Sequence, residues 1–387
     1  MALPLSYNVR SLLVRWKSTL LAILGITLVV AVFIGLIAMA DGFTLALRAT
    51  GSPGNAIVIQ RGAMSELTSS IPQEQLDFIA VDARIARDAS GAPLTSREMV
   101  VVANLARVDG KSTNVLIRGV SPATFQVRNG IALEEGRAFQ PGLEEIVVGK
   151  RITERIAGLG LGGSIRMQRR DWKVTGIFSS EGSGFESEIW MDVNVLAQVF
   201  NRKEIYQSMS LRLRDPSDIS GLAADISRDP KLQVDVRDET TFYEEQAGQV
   251  ARSLRVLAIF VCTIMAVGAT FGGMNTMYAI VAARTREIGT LRALGFSRLS
   301  ILFSFVVESV FLSAIGGILG CLLALPANWL SGATGSANFS EIAFAFRVTP
   351  AALGIALGIA AVMGVLGGFL PALRAARLPI ASALKET

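Results

Sequence analysis

One uncharged stretch near the N-terminus and three more in the last third of the chain fix what this sequence can fold into. Residues 18–40 form an uncharged run of 23, and residues 256–283 form another of 28. Residues 299–325 are broken only by Glu308, and residues 348–373 carry no charge. A hydrocarbon core of about 30 Å takes ~20 apolar residues of helix, so each run is long enough to span. Between the first and second runs lie roughly 210 residues rich in charge, turns and alternating apolar positions. The predicted fold class is an α-helical membrane protein with four transmembrane helices, 1 + 3, and an inserted mixed α/β extracytoplasmic domain of two subdomains.

The charge distribution orients this arrangement. The overall net charge is +5. Residues 41–252 hold 25 Lys/Arg against 28 Asp/Glu, whereas the rest of the chain holds 12 against Glu287, Glu308, Glu341 and Glu386. Those cations sit near helix ends: Arg10, Arg15 and Lys17, then Arg284, Arg286, Arg292 and Arg298, then Arg374, Arg377 and Lys385. Positive flanks stay cytoplasmic, which puts both termini and the 284–298 loop inside and the large domain outside. Topology thus accounts for the basic surplus, and nucleic-acid binding is not implied. The first run exceeds the 7–15 residues of a signal-peptide core and reads as an uncleaved signal-anchor. Both cysteines, Cys262 and Cys321, fall in apolar runs, and there is no histidine. That removes the commonest metal and general-base chemistry, and no metal, cofactor or catalytic residue is expected.

Along the chain, residues 1–17 place Leu5, Val9, Leu12, Leu13 and Trp16 at helical spacing, as in an interfacial amphipathic helix. The segments that follow are the first span (18–40), the outer domain with its stalk (41–252), the second span (253–283) and a cytoplasmic helix (284–298). The third span (299–326), a short outer loop (327–348), the fourth span (349–371) and a cytoplasmic tail (372–387) complete the order. Within the outer domain, strands are expected at 55–60, 99–102, 106–108, 113–119, 145–148, 164–167, 172–178, 210–213 and 233–236. Helices are expected at 72–89 and 219–228. The middle, about 113–200, reads as a β-rich subdomain, and the two flanks form the other. No proline interrupts residues 239–283, which predicts a helix of about 65 Å running from the outer domain through the second span.

A phosphate loop requires glycine five positions before a Gly-Lys pair, and here Leu105 and Glu144 stand at those positions. ATP hydrolysis must therefore come from another subunit. The stretch NTMYAIVAARTREIGTLRALGFS (275–297) ends the second span in a charged helix closed by Gly295. Ile288, Leu291 and Leu294 make an apolar stripe between Arg286, Glu287 and Arg292. Such a helix either rests on lipid headgroups or fits a groove on a cytoplasmic motor, and spacing alone leaves both readings open. Glu308 is costly inside a span unless paired, and a local bond to a hydroxyl, backbone group or cytoplasmic Arg is expected. Four Gly-x-x-x-Gly pairs, beginning at Gly268, Gly316, Gly354 and Gly364, permit close helix contact within the chain or in a dimer. Glu181, Glu186 and Glu188 surround a Gly-Ser turn, match no calcium loop and read as a solvated rim.

The segment RTREIGTLRALGFSR resembles the coupling region of the MacB/FtsX-type ABC permeases, relatives of the lipoprotein-releasing permeases. NVRSLLVRWKSTLLAILGITL is similar to that family's N-terminal elbow and first helix, and GRAFQPGLEEIVVGKRITERI…VTGIF…FESEIWMD to its MacB-like periplasmic core. FLPALRAARLPIASALKE is similar to the tail after its fourth helix. The full MacB polypeptide carries a fused ATPase, whereas the resemblance here covers the permease half, so a separate ATPase is expected.

The resemblance implies a bacterial inner-membrane permease subunit, not itself an enzyme, working by mechanotransmission with two copies of a cytoplasmic ABC ATPase that bind ATP and Mg. It also implies a second permease copy, identical or related, and a periplasmic adaptor. The contact residues for the ATPase would be Arg284, Arg286, Glu287, Ile288, Leu291, Arg292, Leu294 and Gly295, with Arg374 and Arg377 of the tail. Export or extraction of an amphipathic substrate (drug, peptide, lipid or lipoprotein) is the expected function. The alternative is FtsX-like signalling that activates a periplasmic cell-wall hydrolase.

Overall fold

The computed structural model describes residues 16–128, 130–335 and 341–379, so residues 1–15 of the amphipathic segment expected at 1–17 and the end of the tail lie outside the described residues. The chain divides into two compact units, one containing the long apolar helices and the other an α/β domain.

The helical unit draws on α1 (Trp16–Arg48), the later part of α7 (Glu239–Ala283), α8 (Thr285–Ala293), α9 (Arg298–Ala324) and α10 (Pro350–Arg377). Four of these, α1, α7, α9 and α10, are long and apolar enough to cross a membrane. Their packing rests on small residues and buried hydroxyls. A Cβ on Gly320 would lie 2.6 Å from Val30, and one on Gly364 would lie 2.1 Å from Ser313 Oγ, so only glycine admits these helices to each other. Thr27 Oγ1 donates to the Gly316 carbonyl at 3.1 Å and Ser309 Oγ to the Gly364 carbonyl at 2.8 Å. The Gly316 and Gly364 pairs thus serve packing within the chain, whereas a Cβ on Gly268, Gly272, Gly354 or Gly358 would meet nothing within 4 Å.

The α/β unit is built on one mixed ten-stranded sheet. Its strands are β1 (Asn55–Gln60), β3 (Thr95–Ala106), β4 (Ser112–Val120), β5 (Ala132–Gly136), β6 (Glu145–Gly149), β7 (Ser164–Met167), β8 (Arg170–Ser179), β9 (Glu188–Asp192), β11 (Ser208–Arg212) and β12 (Val234–Asp238). The order is β12-β1-β11-β3-β4-β9-β6-β8-β5, with β7 beside β8; β4–β9 and β6–β8 are parallel pairs. Two minor strands, β2 (Ile71–Pro72) and β10 (Ile205–Tyr206), pair with each other. The helices of this unit are α2 (Gln73–Ala80), α3 (Thr124–Val127), α4 (Lys150–Thr153), α5 (Val193–Val199) and α6 (Ile219–Arg228), and α7 begins here.

Three expectations are corrected. The two subdomains share a sheet and a core: residues 95–98 of β3 pair with β11 and residues 99–106 with β4, and one apolar cluster runs from Ala56 to Val236 through Ile117, Ile146 and Trp172. The strands expected at 99–102 and 106–108 are a single strand that stops at Ala106, before a turn in which Gly110 takes φ +81°. The helix expected over 72–89 stops at Ala80. There Asp82 accepts the Arg84 N–H at 2.9 Å and both ends of its guanidinium, a local turn that competes with another helical turn, and Ile85 bridges to Leu213.

The segment expected as a short loop, 327–348, folds as a 3₁₀ turn (Leu325–Trp329) and a hairpin of β13 (Ser331–Gly335) and β14 (Glu341–Ala345). The hairpin belongs to the α/β unit, where Phe344 meets Phe43 edge to face at 5.8 Å. α7 is unbroken for 45 residues, about 67 Å at 1.5 Å per residue, and the boundary between the units falls inside it.

Candidate functional site

α7 ends because Arg284 leaves helical geometry (φ −109°, ψ 14°), and α8 starts one residue later. Its far end closes on Gly295 at φ +94°, with Gly295 N–H bonded to Arg292 C=O at 3.2 Å and Phe296 N–H to Leu291 C=O at 3.1 Å. This paired closure needs a left-handed residue, which glycine adopts without strain. The next helix restarts at once, capped by Ser297 Oγ on the Ser300 N–H.

The side chains of this turn divide sharply. Arg284 points inward and donates to Glu308 at 3.0 Å, with Glu287 at 3.8 Å and the Phe305 ring 5.9 Å from its guanidinium carbon. Glu308 is 1% exposed and is the buried acid that the sequence required a partner for. Ile288 is buried with Met277, Ile280, Val281, Ile301 and Phe305, and Leu291 packs on the same cluster. Arg284 and Ile288, expected among the contact residues, are buried and fasten α8 to its own unit, because this short helix buries its apolar face on α7, α9 and α10. Leu291 and Arg292 are half-buried, with Arg292 donating to the Phe296 carbonyl at 3.4 Å. Arg286, Glu287, Leu294 and Gly295 remain exposed, Leu294 at 72%. Arg374 and Arg377 are exposed, and the Arg374 guanidinium stands 5.7 Å from the Tyr278 ring centre.

Arg284→Met is expected to leave the Glu308 carboxylate buried without its cation, at a cost of about 3–5 kcal/mol. Adding Glu308→Gln should recover most of that loss. Thermal unfolding of the purified single and double variants in detergent measures it, and equal destabilisation of the two would exclude the pair as the fastening.

A second charged assembly lies wholly inside the α/β unit, and sequence reading missed it. Arg118, on β4, donates to Glu66 (2.7 Å), to Glu98 (2.6 Å) and to Glu188 (2.7 and 2.9 Å). Arg128, just after α3, donates to Glu98 (2.5 Å), Glu239 (2.9 Å) and Ser210 (2.6 Å). Glu239, the first residue of α7, also accepts from the Ser52 N–H at 3.1 Å and from Asn55 at 3.3 Å. Ser208 and Tyr243 donate to Glu66, at 2.8 and 3.3 Å, and Trp190 donates to Glu188 at 2.8 Å. All six charged residues are buried. The Phe185 ring centre lies 5.1 Å from the Arg118 guanidinium and 4.6 Å from that of Arg128.

Burial pushes the Glu66 carboxyl up, yet Arg118 beside it more than offsets this and holds it below the ordinary value. Burial keeps Glu188 above its ordinary value despite Arg118, with Glu66 adding to the rise, and it pushes the Tyr243 phenol well up. Of the acids expected at a solvated rim, only Glu181 is exposed. Glu186 is buried against Arg151 at 3.1 Å, and Glu188 belongs to this cluster.

Residues 19–229 match the MacB-like periplasmic core domain, and residues 259–380 match the FtsX-like permease C-terminal segment. The macrolide export ATP-binding/permease protein MacB of Burkholderia pseudomallei is 28% identical over 398 residues, covering 95% of this chain and 57% of that protein. MacB of Escherichia coli is 28% identical over 292 residues, 72% of this chain and 44% of that protein. The pyoverdine export ATP-binding/permease protein PvdT of Pseudomonas entomophila is 27% identical over 397 residues, 95% and 57%. The chain thus spans about half the length of the curated relatives it matches. Among solved structures, the periplasmic region of MacB from Actinobacillus actinomycetemcomitans aligns with a TM-score of 0.38 at 13% identity, covering 49% of this chain and 91% of that one. The extracellular domain of the noncanonic ABC-type transporter YknZ aligns at 0.37 and 18%, covering 47% and 99%.

Proposed function

This chain belongs to the MacB/FtsX-type ABC permeases, and from that premise we propose that it is the membrane subunit through which a separate ATPase drives export of an amphipathic substrate by mechanotransmission. The carrying observation is the exposed edge of α8, with Arg286, Glu287 and Leu294 presented on a helix fastened from behind by Arg284–Glu308 and Ile288. A peg that receives force must be both accessible and stiffly mounted, and α8 has both properties. In this reading two ATPase subunits dock on the α8 edges of two permease copies, with Arg374 and Arg377 beside them. The α/β domain lies outside the inner membrane, where an adaptor and the substrate meet it. Export by relatives such as MacB and PvdT supports the substrate class.

Leu294→Asp tests the docking edge. A carboxylate forced into an apolar contact loses about 2–3 kcal/mol, which is roughly 30- to 150-fold in binding. Titration of the cognate ATPase against permease in nanodiscs should show that weakening, with unchanged thermal unfolding of the permease because Leu294 is not part of its core. Equal affinity for wild type and variant would remove α8 from the interface.

A further inference from the structure

The buried cluster of the α/β unit holds four carboxylates, Glu66, Glu98, Glu188 and Glu239, against two guanidinium groups, Arg118 and Arg128. Fully ionised, it would bury two uncompensated negative charges, which a dry interior does not tolerate; one group takes a proton instead. The geometry points to which one. Glu239 sits at the N-terminus of the 45-residue α7, where the helix dipole favours an anion, and it accepts from Arg128, Ser210, Ser52 and Asn55. Glu98 lies between both arginines. Glu66 accepts from Arg118, Ser208 and Tyr243. Among the described residues Glu188 has one cation, Arg118, shared with two other acids, and one neutral donor, Trp190; there its Oε1 accepts from Arg118 Nη2 alone, which leaves a lone pair for hydrogen.

We propose that this cluster is a proton-binding site, in which Glu188 carries a proton at neutral pH and so lets the root of α7 be held by buried charges. With Glu188 neutral, three carboxylates face two guanidinium groups, and the helix N-terminus at Glu239 offsets much of the remaining charge. The upward push of burial on Glu188 agrees with this assignment. For an acid raised in the folded state, stabilisation is complete below the ordinary glutamate value and is lost as pH rises through the raised value. The α/β unit should therefore loosen as pH rises through that window.

The test uses the full chain in nanodiscs. Infrared difference spectra in deuterated buffer at pH 7 should show a protonated-carboxyl stretch in wild type that is missing in E188Q. E188Q should unfold at the wild-type temperature at pH 7 and lose the pH dependence, whereas E98Q, which removes a charge bound to both arginines, should unfold several degrees lower. Persistence of the band in E188Q, its absence from wild type, or destabilisation of E188Q equal to that of E98Q each overturns the proposal. Should E188Q not fold, W190F decides, because Trp190 donates to Glu188 and removing it must shift the band; an unmoved band overturns the assignment.

Discussion

An Arg118→Leu chain is expected to lose the fold of its α/β unit while its apolar helices still form. Arg118 is 2% exposed and is the guanidinium on which Glu66, Glu98 and Glu188 converge. Removing one partner of a buried ion pair costs about 3–5 kcal/mol, and here three acids lose a partner together. A domain is stable by only ~5–15 kcal/mol, so the loss is comparable to the whole. Trypsin digestion of membranes should cut the variant between residues 42 and 252 where wild type resists. Trp172 and Trp190, both buried in this unit, should shift toward solvent-exposed emission. Arg118→Lys keeps a charge without the fork and should fall between the two. Adding Glu66→Gln to Arg118→Leu should restore part of the resistance, because it removes the charge left most in need of a cation. Wild-type resistance in Arg118→Leu would mean that the cluster contributes nothing to stability.

The sequence was legible where local chemistry decides the outcome. Asn55–Gln60, Ser164–Met167 and Ile219–Arg228 form the elements that alternation and helical spacing predict, and the unbroken helix from Glu239 follows from the absence of proline. The single helix over 72–89 failed because the Asp82–Arg84 turn competes with another helical turn, which periodicity does not weigh. The charged cluster was illegible for another reason. Its members come from β3, β4, β9, a 3₁₀ turn, the end of α3 and the start of α7, and each, read alone, is an ordinary surface charge. Only the register that brings Arg118 opposite Val100 on β3 and Trp190 on β9 brings them together.

At α8 the stripe of Ile288, Leu291 and Leu294 divides, with Ile288 buried, Leu291 half-buried and Leu294 exposed. Spacing says which residues share a side, not whether the chain itself covers that side. Glu308 was the reverse case: a charge in an apolar run demands a partner, and Arg284 is there.

The proposed force transmission depends on the stiffness of α7, and an insertion can remove that stiffness without touching either core. Gly248 is exposed on this helix, a Cβ there would meet nothing within 4 Å, and it lies between the Glu239 root and the apolar run. Inserting Gly-Gly-Pro after Gly248 removes hydrogen bonds from the ladder, and the proline alone costs ~3 kcal/mol of local helix. Each unit has its own apolar clusters, so both should keep their unfolding transitions. ATP hydrolysis by the partner subunit should continue, and export should fall to the level of permease-free vesicles. Inserting Ala-Ala-Ala at the same place adds equal length and the same rotation but keeps the ladder, and therefore separates stiffness from register. If the alanine insertion exports and the Gly-Gly-Pro insertion does not, α7 works as a rod. If both export like wild type, α7 is only a tether, and mechanotransmission through it is excluded.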